Sequence, residues 1–308
     1  MCGARRGGAS RGVGAVACAI SADRRSPRDV RLCIHTTSSA PAGYRRALEG
    51  WARAGITQVE LHATVVEDFL RTQTRADARA ILSDNGLTAV HAAVEIDGLL
   101  EPGPHQGAAL EQLRTRLDLF AALGIPRAYA HTGGTRRLSI DDYGGVAEAM
   151  HRAGDVAAAH GMGFNVEFVR SSPYMATLPT TLRVLRQAAH PNVGVVLDCY
   201  HFWSGLNRPE DLDDLRAGEV RHVHFQDVPD LPRERLDSAS RVLPGQGVAP
   251  LESTLRLLAA RGYAGPLSVE LFLPRYQEMD PEALARRIRE AGEPVLRRAG
   301  VADEPPVC

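Results

Sequence analysis

The apolar residues of this chain fall into two kinds of segment, and the two kinds alternate eight times. The first is a short run rich in Val, Ile and Leu, which is typical of a β-strand. The second is longer, with apolar residues three or four positions apart, as in an amphipathic α-helix. The short runs predict strands over residues 30–35, 58–62, 87–91, 127–131, 163–168, 193–198, 220–225 and 267–271. The longer segments predict helices over 44–54, over a segment that ends near Asn85 and Gly86, and over 107–123, 141–160, 178–189, 209–217, 251–261 and 281–299.

This alternation determines the class of fold that we expect. Consecutive strands joined by a helix lie parallel, with right-handed crossovers. Eight such units without a break in composition predict a closed (β/α)8 TIM barrel, an α/β fold formed by a single domain. An open, doubly wound sheet is the alternative, but no GxGxxG motif follows an early strand to support it. We therefore place the barrel at residues 29–300, with a disordered N-terminal extension at 1–28 and a flexible tail at 301–308.

Composition narrows the classes of partner. Of the 308 residues, 44% are hydrophobic and 24% are charged, and the formal net charge is −1, so there is no basic field to attract a nucleic acid. No stretch approaches the roughly 20 apolar residues that cross a bilayer, and the apolar run at 13–20 is too short for a secretory signal. The five cysteines form no CxxC pair, which fits a reducing compartment. We expect a cytoplasmic protein that binds neither nucleic acid nor membrane.

The chain contains 36 arginines and no lysine. Schiff-base and pyridoxal enzymes need a lysine amine, and the usual P-loop needs a lysine for phosphate. These three classes are excluded. Any carbonyl chemistry must therefore use a metal ion or an acid–base pair, and we expect no organic cofactor.

Polar side chains stand at the ends of the predicted strands. In a parallel barrel the C-terminal ends of all strands meet at one mouth, where active sites form. The first four strands end at His35, His62, His91 and His131, and the last four end at or near Glu167, Asp198, His224 and Glu270. We interpret His35 and His62 as hydrogen-bonded structural residues, the commoner role of a single strand-end histidine.

The three acidic residues in this set predict a cation. Asp198 follows Val-Val-Leu, while Glu167 and Glu270 each lie between apolar neighbours, where an unpaired charge is very costly. Three carboxylates in one mouth repel each other unless a cation lies among them. With His224 they form a mixed oxygen and nitrogen set that suits one divalent ion, with manganese or zinc favoured over cobalt or magnesium.

Four ordered motifs in the second half of the chain point to a known family. They occupy residues 192–202, 223–227, 241–247 and 262–272. They resemble the xylose-isomerase-like TIM barrel superfamily of sugar isomerases and epimerases, and within it the 2-keto-myo-inositol isomerase (inosose isomerase) branch. The resemblance implies the same four metal ligands, and it implies that His201 contacts substrate oxygens. It also implies a substrate-binding role for Arg241, for which a loop salt bridge with Asp237 is the alternative.

The sequence also departs from this branch, which does not carry histidines at all of the first four strand ends. The four histidines at positions 35, 62, 91 and 131 therefore suggest a different substrate, or a second metal held by His91, His131 and a bridging Glu167. We predict that His91 and His131 bind substrate. The endonuclease IV branch uses such histidines in a three-zinc site. That branch also needs an Asp-x-His after strand seven, where this chain has Ala-Ser-Arg at 239–241. We expect the third zinc site to be absent.

These features lead to one functional hypothesis and several rivals. We expect a metal-dependent isomerase or epimerase of a small keto-sugar or keto-cyclitol, in which the cation stabilises an enediolate. Glu167 and Glu270 would then exchange the proton. The nearest rival is a 3-dehydroshikimate dehydratase, which would expel a hydroxyl from the same enolate. An abasic-site nuclease and a non-catalytic barrel subunit are further alternatives, and a homo-oligomer is left open.

Overall fold

The computed structural model describes residue 1 and residues 31–134 and 136–302. Its strands are β1 Leu32–His35, β2 Gln58–His62, β3 Thr88–Ala93, β4 Arg127–His131, β5 Gly163–Glu167, β6 Val193–Asp198, β7 Val220–His224 and β8 Leu267–Val269. Its α-helices are α1 Gly43–Arg53, α2 Ala63–Leu70, α3 Arg75–Asp84, α4 Gln106–Ala122, α5 Tyr143–Ala159, α6 Leu178–Ala188, α7 Cys199–Ser204, α8 Leu251–Ala260, α9 Pro274–Gln277 and α10 Pro281–Ala299. Short 3-10 helices occupy Thr36–Ala42, Ile140–Asp142, Pro209–Leu212 and Arg233–Arg235. The predicted extensions at 1–28 and 301–308 lie almost wholly outside the described residues and stay predictions.

The eight strands form one closed parallel barrel in sequence order. Each strand pairs with the next along the chain, and β1 pairs with β8 to close the ring. The register places His131 beside Glu167 and Asp198 beside His224, so the polar strand ends lie at one height. The predicted single-domain (β/α)8 fold is therefore confirmed. Among the described residues, no helix has both the length and the apolar composition that a bilayer crossing requires.

Two predicted helices differ from those observed. The helix between β2 and β3 is two helices, α2 and α3, and the second begins at a capping box in which Thr74 and Asp77 bond each other's backbone. The helix predicted at 209–217 is wrong, because only a 3-10 turn forms there. Instead α7 begins directly after β6, where the Asp198 carboxylate accepts a hydrogen bond from the His201 amide and caps the helix. This cap fixes His201 above the strand end.

The predicted end of strand three is also wrong. The strand continues past His91 to Ala93, because Ala92 and Ala93 pair with Ala128 and Tyr129 of β4. His91 is therefore inside the barrel rather than at its mouth, and it is completely buried.

The last helix of the chain, α10, is capped at both ends and packs beside the first helix, α1. The Asp280 carboxylate caps the N-terminus of α10 by accepting hydrogen bonds from two amides of the first turn, and Gly300, whose φ of 72° suits glycine, caps its C-terminus. α1 packs against α10. A Cβ atom at Gly50 of α1 would lie 2.8 Å from the Cβ of Pro281, so the two helices approach this closely only because residue 50 has no side chain.

Candidate metal centre

Four predicted ligands meet at the mouth of the barrel. Glu167, Asp198 and His224 are the last residues of β5, β6 and β7, and Glu270 follows β8 directly. All four are buried, with at most 6% of their surface exposed. Each offers one nitrogen or oxygen atom, and these atoms all lie within 4.8 Å of one another. Adjacent parallel strands thus bring together residues that are up to 103 positions apart in the chain.

The distances within this set suit a single metal ion. His224 Nδ1 lies 2.8 Å from Glu167 Oε1, 3.4 Å from Asp198 Oδ2 and 3.7 Å from Glu270 Oε2. Ligand atoms about 2.0–2.2 Å from a tetrahedral zinc ion are separated by roughly 3.4 Å, which falls inside this range. Three carboxylates with one imidazole are also a donor set that binds divalent ions. The residues present therefore fit a divalent cation.

Arg241 supplies a positive charge beside the ligands. Its Nη2 lies 3.2 Å from Asp198 Oδ2 and 2.9 Å from His201 Nε2, and its Nη1 lies 2.8 Å from Glu270 Oε2. The alternative salt bridge with Asp237 is wrong, because the Asp237 carboxylate accepts hydrogen bonds from Ser240 and Ala239 instead. With the ligands deprotonated, as metal binding requires, the three carboxylates, the neutral imidazole and the guanidinium carry a net charge of −2, which one divalent ion neutralises.

The acidic groups of the centre differ in pKa. Burial raises the pKa of Glu167 to about 7, although His224 opposes the shift. Burial alone would also raise the pKa of Asp198. The charge of Arg241 and the neighbouring His201 and His224 outweigh burial and hold this pKa below its ordinary value. Burial, together with Arg241, lowers the pKa of His201 to about 3, so this imidazole is neutral at physiological pH. Because the three carboxylates are buried, water does little to compensate their negative charge.

A cavity of about 280 Å³ opens above the four residues. Its lining includes Glu167, Glu270, His201, Arg241 and His131, so five of the predicted site residues face one space. Arg241 Nη1 pairs with Glu270 at 2.8 Å, whereas its buried Nε has no hydrogen-bond acceptor among the described residues. The Nε–H of this guanidinium is therefore available to a ligand in the cavity.

His91 does not belong to this lining. Its Nδ1 lies 3.2 Å from Glu60 Oε1, and the Asn165 amide donates to its Nε2 at 2.8 Å. His131 instead faces Glu95 at 3.4 Å. The second metal site of His91, His131 and Glu167 is therefore not formed, and His91 leaves the set of predicted substrate contacts. The cause is the longer β3, which places its polar side chain deeper in the barrel.

The two histidines interpreted as structural are hydrogen-bonded, and both also lie close to the centre. His35 Nδ1 accepts from the Thr37 amide at 3.3 Å and lies 3.4 Å from Glu270 Oε1. His62 Nδ1 pairs with the Thr64 hydroxyl at 2.7 Å, while its Nε2 lies 3.1 Å from Glu95 Oε2 at the edge of the cavity.

Sequence reasoning missed two carboxylates near the centre. Glu95 lines the cavity between His62 and His131, which lower its pKa through hydrogen bonds. Its φ of 45° is rare for a residue other than glycine, and the Arg116 guanidinium holds its carbonyl. Glu60 is buried in the barrel interior between Val59 and Leu61. An acidic residue within an apolar strand was the available signal for Glu60, the same signal that identified Glu270.

Comparisons with known proteins agree with this fold. A family model described as the xylose isomerase-like TIM barrel matches residues 48–295. The inosose isomerase of Halalkalibacterium halodurans is 22% identical over 276 residues, which cover 87% of this chain and 97% of that protein. The 3-dehydroshikimate dehydratase of Pseudomonas aeruginosa is 28% identical over 236 residues, which cover 73% of this chain and 35% of that protein. The crystal structure of the IolI protein with a zinc atom has a TM-score of 0.81 and 20% identity, covering 88% of this chain and 99% of its own.

Proposed function

We propose that the chain, which belongs to the xylose isomerase-like TIM barrel family, is a divalent-metal-dependent isomerase or epimerase of a keto-sugar or keto-cyclitol. The observation that carries this proposal is the buried set of Glu167, Asp198, His224 and Glu270, whose ligand atoms share one small volume. The inosose isomerases among its relatives support the substrate class. Zinc or manganese is the proposed ion, since the set mixes carboxylates with an imidazole.

A divalent cation held by these four residues would supply Lewis acidity, which makes the hydrogen beside a substrate carbonyl easier to remove. The side chains proposed to move that proton are Glu167 and Glu270, both of which line the cavity. They come from positions three strands apart around the ring. One carboxylate would remove the proton, and the other would return it to the opposite face of the same carbon or to the neighbouring carbon.

Substrate binding is assigned to the polar walls of the cavity. Arg241 and His201 form one wall, and the unpaired Nε–H of Arg241 would donate to a carbonyl or hydroxyl oxygen of the substrate. His131 of β4 belongs to the opposite wall with His62 of β2 and with Glu95, which follows β3, since β2, β3 and β4 face β6, β7 and β8 across the eight-stranded ring. A substrate with hydroxyl groups on both sides of its carbonyl would satisfy both walls.

The variant Glu270→Gln tests the proposed proton transfer. It keeps the shape of the side chain but removes the charge, so turnover of an inosose by the metal-loaded protein should fall by about 10²-fold or more. Glu101→Gln is the matched control, because Glu101 is also buried but does not line the cavity. Near-normal turnover by Glu270→Gln would remove Glu270 from the mechanism.

A dehydratase is the second candidate, and the dehydratase relatives specifically favour it. The two reactions are distinguished by their products. Isomerisation of an inosose conserves mass, whereas dehydration of 3-dehydroshikimate releases water and forms a conjugated product that absorbs ultraviolet light. Incubation of the zinc- and manganese-loaded protein with each substrate, followed by mass spectrometry and absorbance, decides between them. Water loss from dehydroshikimate without isomerisation of the cyclitol would replace the proposed function with the second candidate.

A further inference from the structure

The barrel interior holds a carboxylate beneath the metal centre that the proposed mechanism does not use. Glu60 lies on β2 and is completely buried. Three imidazoles surround its two oxygens: His91 Nδ1 at 3.2 Å, His222 Nε2 at 2.9 Å and His224 Nε2 at 3.1 Å. Since β2 and β7 are not neighbours in the ring, Glu60 meets His222 and His224 across the barrel interior.

His224 connects this carboxylate to the metal centre. Its two ring nitrogens face different acids, with Nδ1 in the ligand set and Nε2 directed at Glu60 Oε1. A neutral imidazole has one N–H and one lone pair, and an ionised carboxylate only accepts hydrogen bonds. When Nε2 donates to Glu60, the lone pair is therefore on Nδ1 and points at the other three ligands.

We propose that Glu60 is a positioning residue that selects the metal-binding tautomer of His224 and fixes the orientation of its ring. This inference rests on the metal site in the proposed function, but it is independent of the reaction and of the substrate. A carboxylate that accepts from the second nitrogen of a ligating histidine also makes that histidine a better ligand. Glu60 itself would never touch the metal or the substrate.

The surroundings of Glu60 hold it in this position. The Asn165 amide donates to His91 Nε2 at 2.8 Å, so the N–H of His91 is on Nδ1 and donates to Glu60. Tyr129 stacks on the His91 ring, with centroids 4.9 Å apart and planes 3° from parallel. An unpaired buried carboxylate would be strongly destabilising. Three imidazoles, one from β3 and two from β7, lie at hydrogen-bond distance from Glu60 and supply the partners that its buried carboxylate needs.

Glu60, His91 and His222 also have ligand atoms close enough to hold a cation themselves. The hydrogen bonds disfavour that use. His91 already directs its N–H at Glu60, and the His222 Nε2 that a cation would need lies at hydrogen-bond distance from the other oxygen. A cation among the three would also compete for the oxygen that accepts from His224.

The variant Glu60→Gln tests the inference in the full chain, with Glu101→Gln as a matched buried control. The zinc dissociation constant and the number of zinc ions bound are measured on metal-stripped protein by competition with a chelator. We expect Glu60→Gln to bind one zinc ion per chain about 10- to 100-fold more weakly than the wild type, and Glu101→Gln to bind it normally. Nitrogen NMR of histidine in the zinc-loaded wild type should show His224 protonated on Nε2, and this signal should change in Glu60→Gln.

Four results would overturn the inference. Unchanged zinc affinity in Glu60→Gln would show that Glu60 does not position His224. Two zinc ions in the wild type and one in Glu60→Gln would make Glu60 a ligand of its own site. Equal weakening in both variants would reduce the effect to general disturbance of the interior. A wild type that binds no zinc or manganese removes both the inference and the proposed function, whereas metal binding without turnover of any cyclitol removes the proposed reaction alone.

Discussion

Replacing Arg241 tests how much its positive charge stabilises the acidic residues at the barrel mouth. It is buried, with 2% of its surface exposed, and pairs with Asp198 and Glu270, which are buried as well. Arg241→Met keeps most of the side-chain volume but removes the positive charge, leaving three carboxylates that face one imidazole. Removing one partner of a buried ion pair costs about 3–5 kcal/mol. We expect the free energy of unfolding of the metal-free protein to fall by about this amount.

Zinc should reverse part of that loss, because the ion restores the missing positive charge and binds the folded state only. A ligand at 100 times its dissociation constant adds about 2.7 kcal/mol of stability to either protein, so the loss shrinks by the amount by which Arg241→Met, with its uncompensated carboxylates, binds zinc more tightly than the wild type. The assay is urea unfolding of the wild type and Arg241→Met, each with a chelator and with excess zinc. Arg79→Met, which changes an exposed arginine on helix α3, should alter the stability by no more than about 0.5 kcal/mol. Equal losses with and without zinc, or no loss at all, would refute the electrostatic reasoning.

Two further predictions concern Glu95 and Gly50. Hydrogen bonds from His131 and His62 lower the pKa of Glu95, and its carboxylate raises the pKa of His131 against the effect of burial. The lowered pKa of Glu95 stabilises the fold at pH values above 4.5, its ordinary pKa, and this stabilisation is lost as the pH falls below that value. The raised pKa of His131 stabilises the fold below 6.5, its ordinary pKa, and this stabilisation is lost as the pH rises above that value. The stability difference between the wild type and Glu95→Gln should therefore be largest between these pH values in a series of urea titrations, and a flat difference would contradict the pairing. Gly50→Ala should lower the stability by about 1–3 kcal/mol through overpacking against Pro281, whereas Gly107→Ala, which has open space in helix α4, should not lower it. Thermal unfolding of both variants checks this contrast.

The fold could be predicted from the sequence because each strand and helix carried its own periodic signal. The alternation of short apolar runs with amphipathic segments gave the eight strands in the correct order, and the closed ring followed from the right-handed parallel connections. The errors lie at element boundaries and in the short helices, since the helix predicted at 209–217 is only a 3-10 turn and α7 was not predicted. α7 was missed because Asp198 begins it within a run that looks like the end of a strand, and no helical periodicity develops over six residues. β3 was cut short because Ala92 and Ala93 carry little strand propensity and are held by their pairing with β4.

The four proposed ligands could be named because they stand at the ends of their strands, and depth along a strand decides which polar residues reach the mouth. His91 illustrates the limit. It looks like the other strand-end histidines until the strand is known to continue for two more residues. Its position then places it beside Glu60 and Asn165 rather than beside the cavity. The sequence shows which residue type is present, but only the strand register shows how deep in the barrel its side chain lies.

The register of the polar residues was nevertheless present in three of the strands. Glu60-Leu61-His62, Asn165-Val166-Glu167 and His222-Val223-His224 each alternate polar, apolar and polar residues toward the end of the strand. Since side chains of a strand point to opposite faces in turn, the two polar members of each triplet share the inner face and are about 6.6 Å apart along the strand. Of the upper members, His62 and Glu167 line the cavity and His224 is a proposed ligand. The lower members form a second polar layer, in which His222 bonds Glu60, and Asn165 bonds the His91 ring that Glu60 also contacts. A polar layer so deep in a barrel is unfavourable unless its members pair with each other, and here the pairing ends on a ligand of the upper layer, His224. The lower layer therefore contributes to the geometry of the site above it, which explains why a stable barrel keeps these residues where apolar side chains would otherwise pack.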